Sequence, residues 1–118
     1  MTENIYWTLS AGVKQEKIDS LKGILNDILK KTQTEQGCLN YEFWFSEDSR
    51  KFYAYERYTD AESCLKHISN ISKDLPRFFD CVDMDPIIIL GDVTPPIKNI
   101  FDRMNASYVK FFKGYTAS

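Results

Sequence analysis

The chain has 118 residues, 15 lysines and arginines against 17 aspartates and glutamates, and a formal charge of −2, enough for one two-layer domain and too little for two. Charges of both signs are interspersed, so there is no basic face for nucleic acid, and no apolar run approaches the ~20 residues that span a bilayer. Widely spaced Cys38, Cys64 and Cys81, with no secretory signal, predict reduced thiols in a soluble cytoplasmic protein; a single histidine and no Cys-x-x-Cys give no expectation of a metal site.

Residues 4–11 alternate, with Ile5, Trp7, Leu9 and Ala11 on one side and Asn4, Tyr6, Thr8 and Ser10 on the other, which predicts a strand. Over residues 15–34, Ile18, Leu21, Leu25, Ile28, Leu29 and Thr32 recur at helical spacing, and Gly37 supplies a stop. Strands follow at 38–46 and 51–58, joined by the polar turn Glu47-Asp48-Ser49-Arg50. Thr59 or Asp60 caps a second helix with Ala61, Cys64, Leu65 and Ile68 as its buried stripe and His67 at the margin. Residues 71–83 predict a helical turn before Pro76 and a loop through Asp80. Ile87-Ile88-Ile89-Leu90, flanked by Pro86 and Gly91, predicts a strand buried on both faces.

The order β-α-β-β-α-β predicts an α+β, ferredoxin-like fold with a four-stranded antiparallel sheet, formed by residues 1–93. Residues 94–118 are an addition. Thr94 caps and Pro95-Pro96 open a third helix with Ile97, Ile100, Phe101 and Met104 as apolar positions, followed by an aromatic tail from Tyr108 to Tyr115. Such a tail docks, either on its own domain or on a partner or pocket.

Pairing across the 47–50 turn sets positions 45 and 52, 43 and 54, and 41 and 56 opposite one another. One face then carries Tyr41, Phe43, Phe45, Phe52, Ala54, Glu56 and Tyr58, and the other Asn40, Glu42, Trp44, Tyr53, Tyr55 and Arg57. Glu42 and Glu56 fall on opposite faces, and Glu42 with Arg57 suits a cross-strand ion pair. Two main helices cover only one face of such a sheet, so the second aromatic face predicts a homodimer packed sheet to sheet.

The stretch Glu35-Gln36-Gly37-Cys38-Leu39-Asn40-Tyr41-Glu42 resembles the E-x-G-C-L-x-Y-E segment of the antibiotic biosynthesis monooxygenase family. Phe52-Tyr53-Ala54-Tyr55-Glu56-Arg57-Tyr58 is similar to its F-x-x-Y-E-x-W/Y strand, and the helix from Asp60 to His67 to the one that often ends in histidine. The resemblance spans residues 3–93 and implies the dimeric α/β-barrel form of the ferredoxin-like fold. It also implies oxygenation of quinols or aromatic polyketides without metal or flavin, haem breakdown, or isomerisation. Asn4 matches an asparagine of the haem-degrading branch, but the second helix reads Cys64-Leu65-Lys66-His67-Ile68 and lacks that branch's tryptophan.

The expected activity is cofactor-independent monooxygenation of a small quinol or phenol. His67 is the candidate base, because an imidazole titrates near neutrality, and Glu56 is its orienter. Asn4, Trp7, Trp44, Tyr53 and Tyr55 are the candidate binding residues, since aromatic faces favour planar ligands. The plainer alternatives are that these side chains serve the core, and that the protein binds or senses a small molecule, or isomerises a carbonyl compound. No Gly-x-Gly-x-x-Gly occurs to hold a dinucleotide.

Overall fold

The computed structural model describes residues 3–117. Strand β1 (Ile5–Val13) is followed by a 3₁₀ turn and helix α1 (Ile18–Thr32), the hairpin β2 (Cys38–Phe45) and β3 (Lys51–Tyr58), and helices α2 (Ala61–Asn70) and α3 (Leu75–Asp80). Short strands β4 (Val82–Met84) and β5 (Ile88–Leu90), helix α4 (Pro95–Phe101) and strand β6 (Ser107–Val109) complete the order. The fold is α+β and ferredoxin-like, but the sheet has six strands rather than four.

Two local causes account for the extra strands. Opposite β1, Ala11–Val13 pair with β4 and Tyr6–Thr8 with β5, both antiparallel. These are two halves of one strand, interrupted at Pro86, whose nitrogen has no hydrogen to donate. On the outer edge of β5, β6 pairs in parallel. Parallel neighbours need a crossover, and α4 supplies it. Within the C-terminal segment Ser107–Val109 therefore extend the same sheet, while Phe111, Phe112 and Tyr115 beyond them stay exposed rather than docked on this chain.

The hairpin register pairs Phe45 with Phe52, Phe43 with Ala54 and Tyr41 with Glu56, as the turn predicts, and a bulge at Leu39 shifts it only beyond Asn40. That register sets Arg57 across from Asn40, not Glu42. The expected Glu42–Arg57 ion pair is replaced by Asn40 Nδ2 donating to Glu42 at 2.6 Å and Arg57 Nε donating to Asn4 Oδ1 at 2.8 Å.

Among the described residues, α1 to α4 pack on one face of the sheet, over two apolar clusters. One gathers Leu21, Leu25 and Ile28 of α1 with Phe52, Ala54 and Phe78. The other gathers Ile5, Trp7, Tyr58, Cys64, Ile87 and Ile89 with Ile97 and Phe101 of α4. The opposite face is open, with Trp44 at 59% and Tyr53 at 45% exposure. Ile88 is 48% exposed between fully buried Ile87 and Ile89, so the apolar run is buried on one face only; the helices cover one side, and the open side carries every second residue.

Other expectations change in detail. Asp60 is the residue that caps α2, accepting from Ser63 N at 2.9 Å. Residues 75–80, expected as loop, form α3, because Pro76 sits in the first turn, where a missing N–H costs nothing. Thr94 precedes α4, but its buried hydroxyl makes no cap bond. Helix α1 ends at Thr32 with Gln33 as its C-cap, so Gly37 is not its stop. A Cβ on Gly37 would lie 2.0 Å from Ser63 Oγ and 2.4 Å from Ser63 Cβ, so this glycine lets the 35–37 turn lie against α2. Among the described residues no helix is long and apolar enough to cross a membrane.

Candidate active site

His67 lies at the centre of the buried face of α2, not at its margin, and is 1% exposed. The ring is held between Tyr41 and Tyr58, with centroids 5.0 and 5.1 Å away. Its Nδ1 lies 3.0 Å from both carboxylate oxygens of Glu35. This contact assigns the proton to Nδ1 and leaves the lone pair on Nε2. Nε2 faces Glu56 Oε1 at 3.6 Å, longer than a hydrogen bond.

Glu56 projects from β3 into the same interior and is 4% exposed. Tyr58, two residues on and therefore on the same face, donates its hydroxyl to Glu56 Oε1 at 2.7 Å, and the Trp7 indole N–H also serves this carboxylate. Burial nevertheless outweighs these bonds and raises the Glu56 carboxyl from 4.5 to about 7. Burial also lowers His67, against the pull of Glu35. Near neutral pH the pair thus comprises a neutral imidazole and a carboxyl group divided between its two protonation states. Desolvation pushes the surrounding Tyr41, Tyr58 and Cys64 upward, so all three keep their protons.

A cavity of about 80 Å³ lies at the seam of the two apolar clusters, and its wall includes Trp7, Leu9, Phe43, Phe101 and Met104 together with Glu56 and His67. Helix α4 closes one end, where Phe101 packs 5.0 Å from Trp7. Two proton-exchanging groups in an otherwise apolar chamber can orient a hydroxyl or carbonyl and move a proton; at about 80 Å³ the chamber must widen to admit a whole aromatic ring. Among the described residues no cluster of three His, Cys, Asp or Glu side chains is arranged to hold a metal ion.

Residues 7–70, more than half of the chain, match the sequence model of the family described as antibiotic biosynthesis monooxygenase. The chain belongs to this antibiotic biosynthesis monooxygenase family. No curated protein matches its sequence. Among solved structures, MupZ from Pseudomonas fluorescens is similar over 99% of this chain and 91% of its own, with a TM-score of 0.88 at 18% identity. A conserved protein from Methanosarcina mazei Go1 is similar over 77% and 94%, with a TM-score of 0.70 at 20% identity. Rv0793 from Mycobacterium tuberculosis is similar over 77% and 96%, with a TM-score of 0.67 at 15% identity. At such identities these likenesses show the fold alone. The MupZ likeness takes in nearly the whole family member, so it includes the C-terminal helix and strand.

Of the residues expected at the site, His67, Glu56 and Trp7 meet at the cavity. Trp44, Tyr53 and Tyr55 lie on the opposite face of the sheet and do not line it, because the period of two that turns Glu56 inward turns them outward. Asn4 also lies outside the cavity; its Nδ2 donates to Thr59 O at 3.2 Å and its Oδ1 accepts from Arg57. Three residues of the site went unforeseen: Glu35, Tyr58 and Tyr41. Tyr41 and Tyr58 share the inward parity of Glu56, a signal available in the sequence. Glu35 opens the family-like segment, but nothing local reveals that the turn after α1 carries it to a ring 32 residues on.

Proposed function

We propose that this family member is a cofactor-independent monooxygenase of a small phenol or quinol, with His67 as base and Glu56 as the group that holds the substrate hydroxyl. The observation that carries this reading is the Glu56–His67 pair, buried with a neutral imidazole in an apolar cavity. A phenolate formed there is electron-rich enough to reduce O₂ itself. Oxygen then adds at a C–H ring carbon ortho or para to the oxygen anion, and loss of water leaves a quinone, which from a hydroquinone is a hydroxyquinone. The balance is one phenol and one O₂ giving one quinone and one water, with the protein supplying deprotonation, orientation and exclusion of water.

The molecule acts in this proposal as a homodimer joined through the open sheet face. The exposed Trp44, Tyr53, Ile88 and Val109 support it, since a patch of that kind is costly in water. Sedimentation at micromolar concentration should give the mass of two chains, and a monomer would dispose of the idea.

A second reading, isomerisation of a carbonyl compound, is favoured by one feature: a carboxyl near pH 7 can take a proton from one carbon and return it to another. Oxygen consumption with a panel of hydroquinones and phenols separates the readings. Saturable uptake, with one atom of labelled oxygen in the product, supports oxygenation. Deuterium exchange from solvent into an enolisable ketone without oxygen uptake supports isomerisation, and saturable binding with neither supports a sensing protein.

A further inference from the structure

The candidate site opens in two directions of opposite character. Toward the outside the cavity is walled by half-buried Ile68, Ile100 and Met104 and by exposed Phe79, all apolar. Beside Glu35 there is a separate polar groove of about 380 Å³, lined by Glu35, Gln36, Gly37, Thr59, Ser63 and Lys66. Glu35 lines the groove and reaches the cavity only through His67, which lines it. Its carboxylate reaches His67 Nδ1 at 3.0 Å and is 11% exposed. Asn70 clamps it, donating from Nδ2 to Glu35 Oε2 at 2.8 Å and to Lys31 O at 3.1 Å.

We propose that Glu35 is the solvent end of a proton relay, Glu56–His67–Glu35, which carries the substrate's proton from the apolar cavity to the polar groove and returns one later in the cycle. Glu56 Oε1 lies 3.6 Å from His67 Nε2, and His67 Nδ1 lies 3.0 Å from Glu35. The first link becomes a hydrogen bond on a contraction of about 0.6 Å. A proton arriving at Nε2 makes an imidazolium; the Nδ1 proton passes to Glu35 and then to water in the groove, leaving the Nε2–H tautomer. The return hop, from Glu35 to Nδ1 with Nε2–H delivered inward, restores the starting tautomer. One proton leaves as the substrate ionises and one comes back for the departing water, so the ring held between Tyr41 and Tyr58 need not flip.

The other titratable groups facing His67 are poor carriers. Tyr41, Tyr58 and Cys64 are pushed up by burial, as is Cys38 to about 11, so each holds its proton. The walls of the cavity beyond Glu56 are apolar, leaving the Glu35 side as the polar way out.

The relay rests on the proposed proton chemistry for its purpose, but its test needs no substrate. A pH jump from 5 to 8 is followed through the carbonyl stretch of the protonated Glu56 carboxyl, assigned by its loss in Glu56→Gln. Glu35→Gln keeps an acceptor for Nδ1–H but cannot pass a proton on, and is expected to slow Glu56 deprotonation tenfold or more while the His67 ¹⁵N shifts still report Nδ1–H. A Glu35→Gln rate equal to wild type overturns the relay. Should that variant not fold, Lys66→Glu at the exposed rim of the groove changes the rate several-fold at low salt, whereas Lys98→Glu on α4 leaves it unchanged; a rate indifferent to Lys66→Glu also overturns the relay. Failure here leaves deprotonation by the Glu56–His67 pair standing, and failure of oxygen uptake leaves the relay standing.

Discussion

Glu56→Gln tests the electrostatics of the site through stability. The carboxyl titrates at about 7 in the folded chain against an ordinary 4.5. At 1.36 kcal/mol per unit, that difference makes ionised Glu56 a burden of about 3 kcal/mol. Because the folded value is raised, the folded chain binds the proton more tightly than the unfolded one between pH 4.5 and 7. Stability therefore falls as pH rises through this window, the loss is complete above about 7, and it is absent below 4.5. The lowered His67 works in the opposite sense: its contribution is present above its ordinary 6.5 and is lost as pH falls through the folded value. That contribution is common to wild type and variant and drops out of their difference. Urea unfolding of both proteins at fixed concentration, from pH 5 to 8, should therefore show glutamine gaining on glutamate with rising pH. At pH 8 the gain approaches about 3 kcal/mol, reduced by whatever the unpaired amide N–H costs. A stability difference that does not vary with pH would refute the assignment of Glu56 as a desolvated, titrating carboxyl.

Phe101→Ala removes the ring that packs on Trp7 and closes the cavity, and should cost about 3–5 kcal/mol by thermal or urea unfolding; a loss under ~1 kcal/mol would mean that α4 is not part of the core. Gly37→Ala forces a Cβ to within 2.4 Å of Ser63 Cβ, so the 35–37 turn must move. A loss of about 1–3 kcal/mol is expected, with a changed His67 ¹⁵N signature as Glu35 withdraws, and unchanged spectra would contradict the contact. Trp44→Asp on the open sheet face should convert a dimer to monomers in sedimentation without altering the far-ultraviolet spectrum.

The elements that alternation or helical spacing defines were legible from the sequence. β1, the hairpin with its register, and the inward side of β3 follow from period two, and so does the separation of Glu42 from Glu56. What escaped was set by distant packing. His67 reads as marginal on α2 because the stripe is judged by apolarity, whereas two tyrosines and two carboxyls bring a polar ring fully inside. Glu35 lies outside any regular element, and Gly37 works through a contact with Ser63 that no local pattern encodes. Pro86 was visible as a strand boundary, yet the continuation of the same strand as β4 on its other side was not, since three residues carry too little periodicity.

Oxygen uptake by wild type and His67→Ala, on the hydroquinone that the panel selects, asks whether His67 is the base. Loss of a positioned base predicts turnover lower by about 10²–10⁴-fold, with binding of the same hydroquinone, followed by Trp7 fluorescence, within a few-fold of wild type. Full turnover by His67→Ala would remove His67 from that role.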